Sequence, residues 1–208
     1  IYYIYGNILK KLKKFDKAIS SFENAIKLNP NFSEAYNSLG NAKKSLDKRD
    51  DAENHYRKAI SLKENNIEAL FNLSAILREN LKNKDLIDVY EKILKIDQKN
   101  IKTIYNLGSA HLFIGDIIKG REYFEKAIEI DGYHIPSFRN YISVTKINKQ
   151  NKIFKKLLNI NIEKLDNENK TLMFSALSKG YFDMDNIDFG FEYLNKSNLI
   201  KKENSKFS

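Results

Sequence analysis

The feature that most constrains this chain is a phrase that returns at a fixed interval. EAYNSLGNAKK, from Glu34 to Lys44, is echoed 34 residues on by EALFNLSAILR, and after 34 more by KTIYNLGSAHL. A period of that length describes a unit too small to bury its own apolar surface, which must stack on copies of itself. Within each period the apolar residues recur at helical spacing in two stretches, separated by short polar turns such as LDKRD and IGD. Only two prolines and eight glycines interrupt 208 residues, which suits a chain that is helical almost throughout.

In this frame the periods begin at Ser33, Ile67, Ile101 and Ile135, with a partial one ahead of them. Small residues recur at three places. Gly6, Gly40, Ser74 and Gly108 hold the eighth; Ala18, Ala52 and Gly120, with Leu86 among them, hold the twentieth; Ala25, Ala59 and Ala127, with Ile93 among them, hold the twenty-seventh. Large residues recur between them: Tyr36, Leu70 and Ile104 at the fourth, Leu39, Leu73 and Leu107 at the seventh, Phe22, Tyr56, Tyr90 and Phe124 at the twenty-fourth. Glycine inside a helix costs about 1 kcal/mol relative to alanine. Its recurrence therefore points to a backbone approached closely by a neighbour whose bulky side chain fills the hollow. Pro30 closes one second helix, since it has no N–H to continue it.

These residues resemble the tetratricopeptide-repeat (TPR) family, whose pattern sets large and small residues at those positions. The match is close from Tyr2 to His134. It weakens in the next unit, where Ile142, Phe154 and Asn161 stand in places meant for small residues. A two-residue slip then restores the frame with Phe174, Leu177, Ser178, Gly190, Leu194 and Ser197, and Asp166 is placed to cap the first helix of that last unit. The resemblance implies an all-α, right-handed superhelical solenoid of about six helix-turn-helix repeats. The repeats are expected at 1–32, 33–66, 67–100, 101–134, a degenerate 135–168, and 171–204, as a single solenoid with a tail at 205–208. It further implies that first helices line a concave groove which captures a peptide or a protein.

Rows of side chains at equivalent positions are the candidate binding residues. The sixth position reads Ser38, Asn72, Asn106, Asn140. An asparagine amide both donates and accepts, so a row of them can hold a peptide backbone whatever its side chains. A comparable asparagine ladder occurs in the TPR arms of O-GlcNAc transferases. Asparagine is abundant in this chain, and composition alone yields such a row about as readily. Both readings stand at this level. TPR domains that clamp the C-terminal carboxylate of cytosolic chaperones use lysine, asparagine, asparagine, lysine and arginine. The equivalent residues here are Asn37, Asn41, Asn72, Lys102 and Asn106, so two of the cations are replaced by amides. Losing them removes charge-assisted carboxylate binding. The expectation is a neutral to weakly cationic peptide groove. The twelfth position, with Lys10, Lys44 and Arg78, adds a basic row that suits acidic ligands or is simply a solvated face.

Several signatures fail. GDIIKGRE has glycines at 115 and 120, but arginine and glutamate replace the lysine and hydroxyl residue of a phosphate loop, and no strand precedes it. Gly115 reads as a turn residue and Gly120 as the small twentieth position. His55, His111 and His134 fall in different repeats without a partner at ligand spacing, so no metal, cofactor or catalytic base is expected. There is no cysteine, which excludes disulfides and thiolate chemistry. Sequons at Asn31, Asn72, Asn169 and Asn195 follow from composition.

The net charge of +9 comes from 36 basic residues of which five are arginine, a lysine excess typical of A/T-rich coding, and acids are interspersed. A nucleic-acid ligand is therefore not expected, and no apolar run is long enough for a membrane span. No signal peptide is visible, and a cytoplasmic location is expected. The chain opens on Ile1 with the apolar IYYIY, and both ends carry apolar residues, which fits flanking repeats or a downstream domain. The favoured reading is a non-enzymatic protein-interaction scaffold, with Asn37, Asn41, Lys44, Asn72, Arg78, Lys102, Asn106 and Asn140 lining the groove. The alternative is the substrate-recognition arm of a larger transferase. KINKQNKIFKKLLNINIEK and the segment from Leu165 to Asn198 resemble the last units ahead of the catalytic domain in bacterial TPR–sulfotransferases.

Overall fold

A computed structural model describes residues 1–204; the tail expected at 205–208 lies outside the described residues. Twelve α-helices and one 3₁₀ turn account for the described chain, and they fall into two compact units, residues 1–98 and the chain from Lys99 onward.

The first unit contains α1 (Tyr2–Lys11), α2 (Phe15–Leu28), α3 (Ser33–Ser45), α4 (Arg49–Leu62), α5 (Ile67–Glu79) and α6 (Asn83–Ile96). Each helix packs on the next, and the first helices α1, α3 and α5 also touch in succession. This is solenoid packing, in which every element is buried by its neighbours alone. Phe22 and Tyr56 are fully buried, at the twenty-fourth position of their repeats, as are Ala18 and Ala52 at the twentieth.

What bends five of the hairpins, all but that of the fifth repeat, is a left-handed residue at the fifteenth position. Lys13 (φ 57°), Asp47 (59°), Leu81 (55°), Gly115 (84°) and Asp185 (58°) all sit there. In each case the following N–H bonds back to the carbonyl five residues earlier, as in Lys48 N to Lys43 O at 3.0 Å and Lys82 N to Leu77 O at 2.9 Å. That is the Schellman closure, which satisfies helix-end carbonyls and reverses the chain. Only one of the five is glycine, so the closure tolerates backbone strain at four repeats.

Second helices also stop at a constant place. α2, α4 and α6 end at Leu28, Leu62 and Ile96, each followed by an extended residue. The stop recurs where Glu64 and Gln98 replace Pro30, so proline is not what sets it. At the junction of α3 and α4 the Ser33 hydroxyl donates to Ala59 O at 2.8 Å, and Asn66 Nδ2 donates to Ser33 Oγ at 2.8 Å. Asn66 meanwhile caps α5 by accepting from Ala69 N at 3.1 Å. The last unit repeats that junction with donor and acceptor exchanged: Ser197 Oγ donates to Thr171 O.

The second unit contains α7 (Ile101–Phe113), α8 (Ile117–Ile130), α9 (Ile135–Ser143), α10 (Lys152–Leu158), α11 (Asn167–Asp183) and α12 (Ile187–Asn204), with a 3₁₀ turn at Ile162–Lys164. The degenerate fifth repeat is where the pattern breaks. α9 and α10 have 9 and 7 residues, whereas α11 and α12 have 17 and 18. Ile142 and Ile147 turn into the core, and α11 packs on both α9 and α10. Phe154, the bulky residue in a small position, is accommodated by Gly180 on α11, where a Cβ would come within 2.1 Å of its ring. Asp166 caps α11, accepting from Asn169 N at 2.7 Å, and the helix begins at Asn167, four residues ahead of the repeat boundary at 171.

Candidate functional site

The sequence places eight candidate residues on first helices, and the structure distributes them between the two units. Asn37, Asn41 and Lys44 lie on α3, and Asn72 and Arg78 on α5, all in the first unit. Lys102 and Asn106 lie on α7 and Asn140 on α9, in the second.

In the first unit the amides are engaged with one another. Asn37 is only 3% exposed. Its Nδ2 donates to Glu68 Oε2 at 3.2 Å, and its Oδ1 accepts from Asn72 Nδ2 at 2.9 Å. Asn72 itself is half-buried. Asn41, one turn along α3, accepts the hydroxyl proton of Tyr56 at 2.8 Å. Burial pushes the Tyr56 phenol well above its ordinary range, so it remains a donor at any physiological pH. Asn41 is thereby a half-buried residue whose carbonyl is anchored to the core.

The basic row ends the first helices. Lys44 is half-buried with Nζ 4.0 Å from Glu79 Oε1, and Arg49 Nη1 takes the other oxygen of Glu79 at 2.8 Å. Arg78 is exposed on the last turn of α5. At the opposite end of the same helices Glu34 pairs with Lys63 at 2.8 Å. The Lys63 hydrogen bond, together with the backbone, holds the Glu34 carboxyl below its ordinary range.

In the second unit Lys102 is exposed on the first turn of α7 and Asn106 is half-buried. Asn140 Nδ2 donates to the Tyr105 hydroxyl at 3.2 Å, and its Oδ1 accepts from Arg139 Nη1 at 3.0 Å. The two units thus share one device. A sixth-position asparagine bonds back to the fifth-position residue of the preceding repeat, 35 residues earlier, as Asn72 to Asn37 and as Asn140 to Tyr105. Asn72 and Asn140 are therefore each tied between adjacent first helices.

Sequence reasoning did not single out Glu68 or Tyr105. Glu68 occupies the second position of its repeat, the slot that Lys102 fills one repeat later. That equivalence was the available signal. The three histidines play packing roles. His111 is buried and stacks on Tyr123 at 5.4 Å with Nδ1 3.3 Å from Asp116 Oδ2. His134 Nδ1 meets Ser137 Oγ at 2.8 Å, and burial pushes its imidazole below the ordinary value. Gly120 sits under Leu112, and Gly115 occupies the hairpin turn, so the glycines of GDIIKGRE are both structural. Among the described residues no cluster of His, Cys, Asp or Glu could hold a metal ion, and no helix is long and apolar enough to cross a membrane.

Comparison with known proteins identifies TPR repeats within the chain. A family model described as TPR repeat matches residues 6–47, and one described as Tetratricopeptide repeat matches 33–66 and 101–134. No curated protein matches the sequence. Among solved structures, the C-terminal part of a TPR repeat-containing protein from Cytophaga hutchinsonii is 14% identical, with 99% of this chain and 84% of that one aligned at a TM-score of 0.73. YrrB, described as a TPR protein with an unusual peptide-binding site, is 15% identical over 93% of this chain and 90% of its own, at 0.63. MamA 41-end from Desulfovibrio magneticus RS-1 is 16% identical over 97% and 94%, at 0.60. At these identities the likeness is one of fold.

Proposed function

Because the chain belongs to the tetratricopeptide-repeat family, we propose that it is a protein-interaction scaffold that binds an extended peptide, or an extended segment of a partner protein, on its first-helix faces. The observation that carries this reading is the tied amide pair, Asn37 with Asn72, repeated in kind by Asn140 with Tyr105. A side-chain amide held in place by a neighbouring helix loses little freedom when it grips a ligand, which lowers the ordering cost of binding. Asn106 supplies a further amide in the same repeat position. Asn41, Lys44, Arg78 and Lys102 border these amides in the repeat frame and would discriminate among side chains of the ligand. YrrB, which shares the fold, is described as having a peptide-binding site. The chemistry required is binding alone, and no residue is assigned a catalytic role.

The test is selection of peptides from a random display library on the 208-residue chain, followed by titration of a selected peptide against variants. Asn72→Ala should weaken a peptide held by the first unit, and Asn106→Ala one held by the second, by about tenfold, the equivalent of one well-placed hydrogen bond to a desolvated group. Far-UV circular dichroism should be unchanged. Peptide affinity that ignores both substitutions rejects the reading.

A further inference from the structure

The Asn37–Asn72 pair carries more information than its position. A carboxylate without a proton accepts hydrogen bonds and cannot donate them. The end of the Asn37 amide that faces Glu68 Oε2 must therefore be its NH₂, as the 3.2 Å contact from Nδ2 has it. The carbonyl of Asn37 is then turned to Asn72, so the end of Asn72 that meets it at 2.9 Å must also be NH₂. One carboxylate thus fixes the orientation of two amides in series. The consequence falls on the far end of the chain: the carbonyl Oδ1 of Asn72 is the group turned away from Asn37.

The second unit orients its equivalent amide with the opposite sign of charge. Arg139 Nη1 donates to Asn140 Oδ1 at 3.0 Å, leaving Nδ2 to reach the Tyr105 hydroxyl at 3.2 Å. There a cation consumes the carbonyl. The residue equivalent to Glu68 in that repeat is Pro136, which has no side-chain acceptor, and a tyrosine hydroxyl can donate or accept. Of these two pairs, the one in the first unit has its direction set by an anion and its carbonyl left over.

We infer that Glu68 is a specificity-determining positioning residue: by orienting Asn37 and Asn72 it fixes the Asn72 carbonyl as the group turned away from Asn37, so that a ligand N–H is accepted at that place and the Asn72 NH₂, with one hydrogen committed to Asn37, does not turn into it. The inference rests on the peptide-binding reading above and sharpens it. A row of amides free to turn would hold a backbone from either side, whereas an oriented one holds it in one register and one direction. The carboxylate, itself exposed, does this through two side chains on adjacent first helices.

The experiment uses the ¹⁵N-labelled 208-residue chain, its Glu68→Gln variant, and peptides selected from the random display library, each N-methylated at one backbone position in turn. N-methylation deletes one N–H and leaves the carbonyls. On the native protein one such position should cost tenfold or more in affinity. In Glu68→Gln, where glutamine can donate or accept and the two amides are free to reverse, that penalty should fall below threefold. The side-chain NH₂ resonances of Asn37 and Asn72 should shift, with far-UV circular dichroism unchanged. If peptides bind and Glu68→Gln leaves both the N-methyl profile and those resonances as they were, Glu68 does not set the polarity and the inference fails alone. If no selected peptide binds the native chain, the peptide-binding reading fails and the inference falls with it.

Discussion

Gly40 on α3 lies against the ring of Tyr56 on α4 so closely that a Cβ added to it would stand 2.6 Å from Cε1. The same relationship holds between Gly6 and Phe22 at 2.6 Å, and between Gly108 and Phe124 at 2.8 Å. In each hairpin the ring is fully buried. Tyr56 has a second duty, since its hydroxyl anchors Asn41 at 2.8 Å. The packing of the hairpin and the posture of a candidate binding residue therefore depend on one aromatic ring.

Gly40→Ala should destabilise the chain. Alanine gains about 1 kcal/mol in helix propensity over glycine, but forcing a methyl into a filled site costs about 1–3 kcal/mol, and a buried ring has little room to yield. The net expectation is a loss of up to about 2 kcal/mol, read as a lower urea midpoint at unchanged slope. Pairing the change with Tyr56→Leu should recover part of it. A variant as stable as the native chain would show that the ring can move aside.

Leu81→Gly should raise stability. Leu81 holds φ at 55° with its side chain mostly in solvent, so the Schellman turn there forces an ordinary residue into left-handed backbone. That strain is about 1–2 kcal/mol, and the greater freedom of glycine in the unfolded chain returns about 0.5–1 kcal/mol of it. A gain of about 0.5–1 kcal/mol is expected in thermal or urea unfolding. Leu81→Ala, which keeps a Cβ, should give no such gain. A lower midpoint for Leu81→Gly would mean that the leucine packs usefully in spite of its exposure.

The alternation of large and small residues was legible because it is steric: a glycine and an aromatic ring at matching repeat positions admit few other arrangements. The left-handed turns were not, because Lys13, Asp47 and Leu81 carry no sign of the conformation that Gly115 advertises. Pro30 was over-read, since the helix stop recurs without it. In the fifth repeat Ile142 and Phe154 announced a break, but the compensation by Gly180 depends on where α11 runs. The amides were found as residues and missed as bonds. A link from one helix to the next, 35 residues away, follows from packing geometry and is invisible to a count of equivalent positions.

Acid should weaken the first unit through Glu53. This carboxylate is 6% exposed on α4 and is met by Lys82 Nζ at 2.9 Å and Arg57 Nη2 at 3.0 Å. Burial pushes its carboxyl upward, but the hydrogen bonds and charges of Lys82 and Arg57 together outweigh that and hold it below the ordinary glutamate value. A group whose folded value is depressed contributes stability above its unfolded value of about 4.3, and that contribution disappears as pH falls through the lower folded value. Glu53→Gln should cost about 1–3 kcal/mol at neutral pH, in line with hydrogen bonds to charged groups. It should also flatten the acid limb of the stability profile below about pH 4.5. Parallel acid limbs for variant and native chain would assign the acid sensitivity elsewhere.

The strongest local dependence lies in the irregular fifth repeat, where the chain between α9 and α10 is held by the last residue of α11. Asp183 Oδ2 accepts from Ile147 N at 2.9 Å and also from Lys179 Nζ, which in turn donates to Thr145 O at 2.6 Å. Ile147 is 1% exposed, so its N–H has no access to water if the carboxylate is removed. Asp183→Ala should leave that donor without a partner and Lys179 without its counter-charge, at a cost of about 2–3 kcal/mol. Asp183→Asn keeps an acceptor oxygen for the N–H and loses only the charge, and should cost about 1 kcal/mol. Hydrogen exchange locates the effect: in Asp183→Ala the Ile147 amide should exchange about thirtyfold faster or more, the factor that 2 kcal/mol of lost protection implies. Amides of α3 and α4 in the first unit should keep their native rates wherever they exchange by local opening. Native protection at Ile147 in Asp183→Ala would show that the burial of Ile147 alone fixes this segment, and that the carboxylate is dispensable to it.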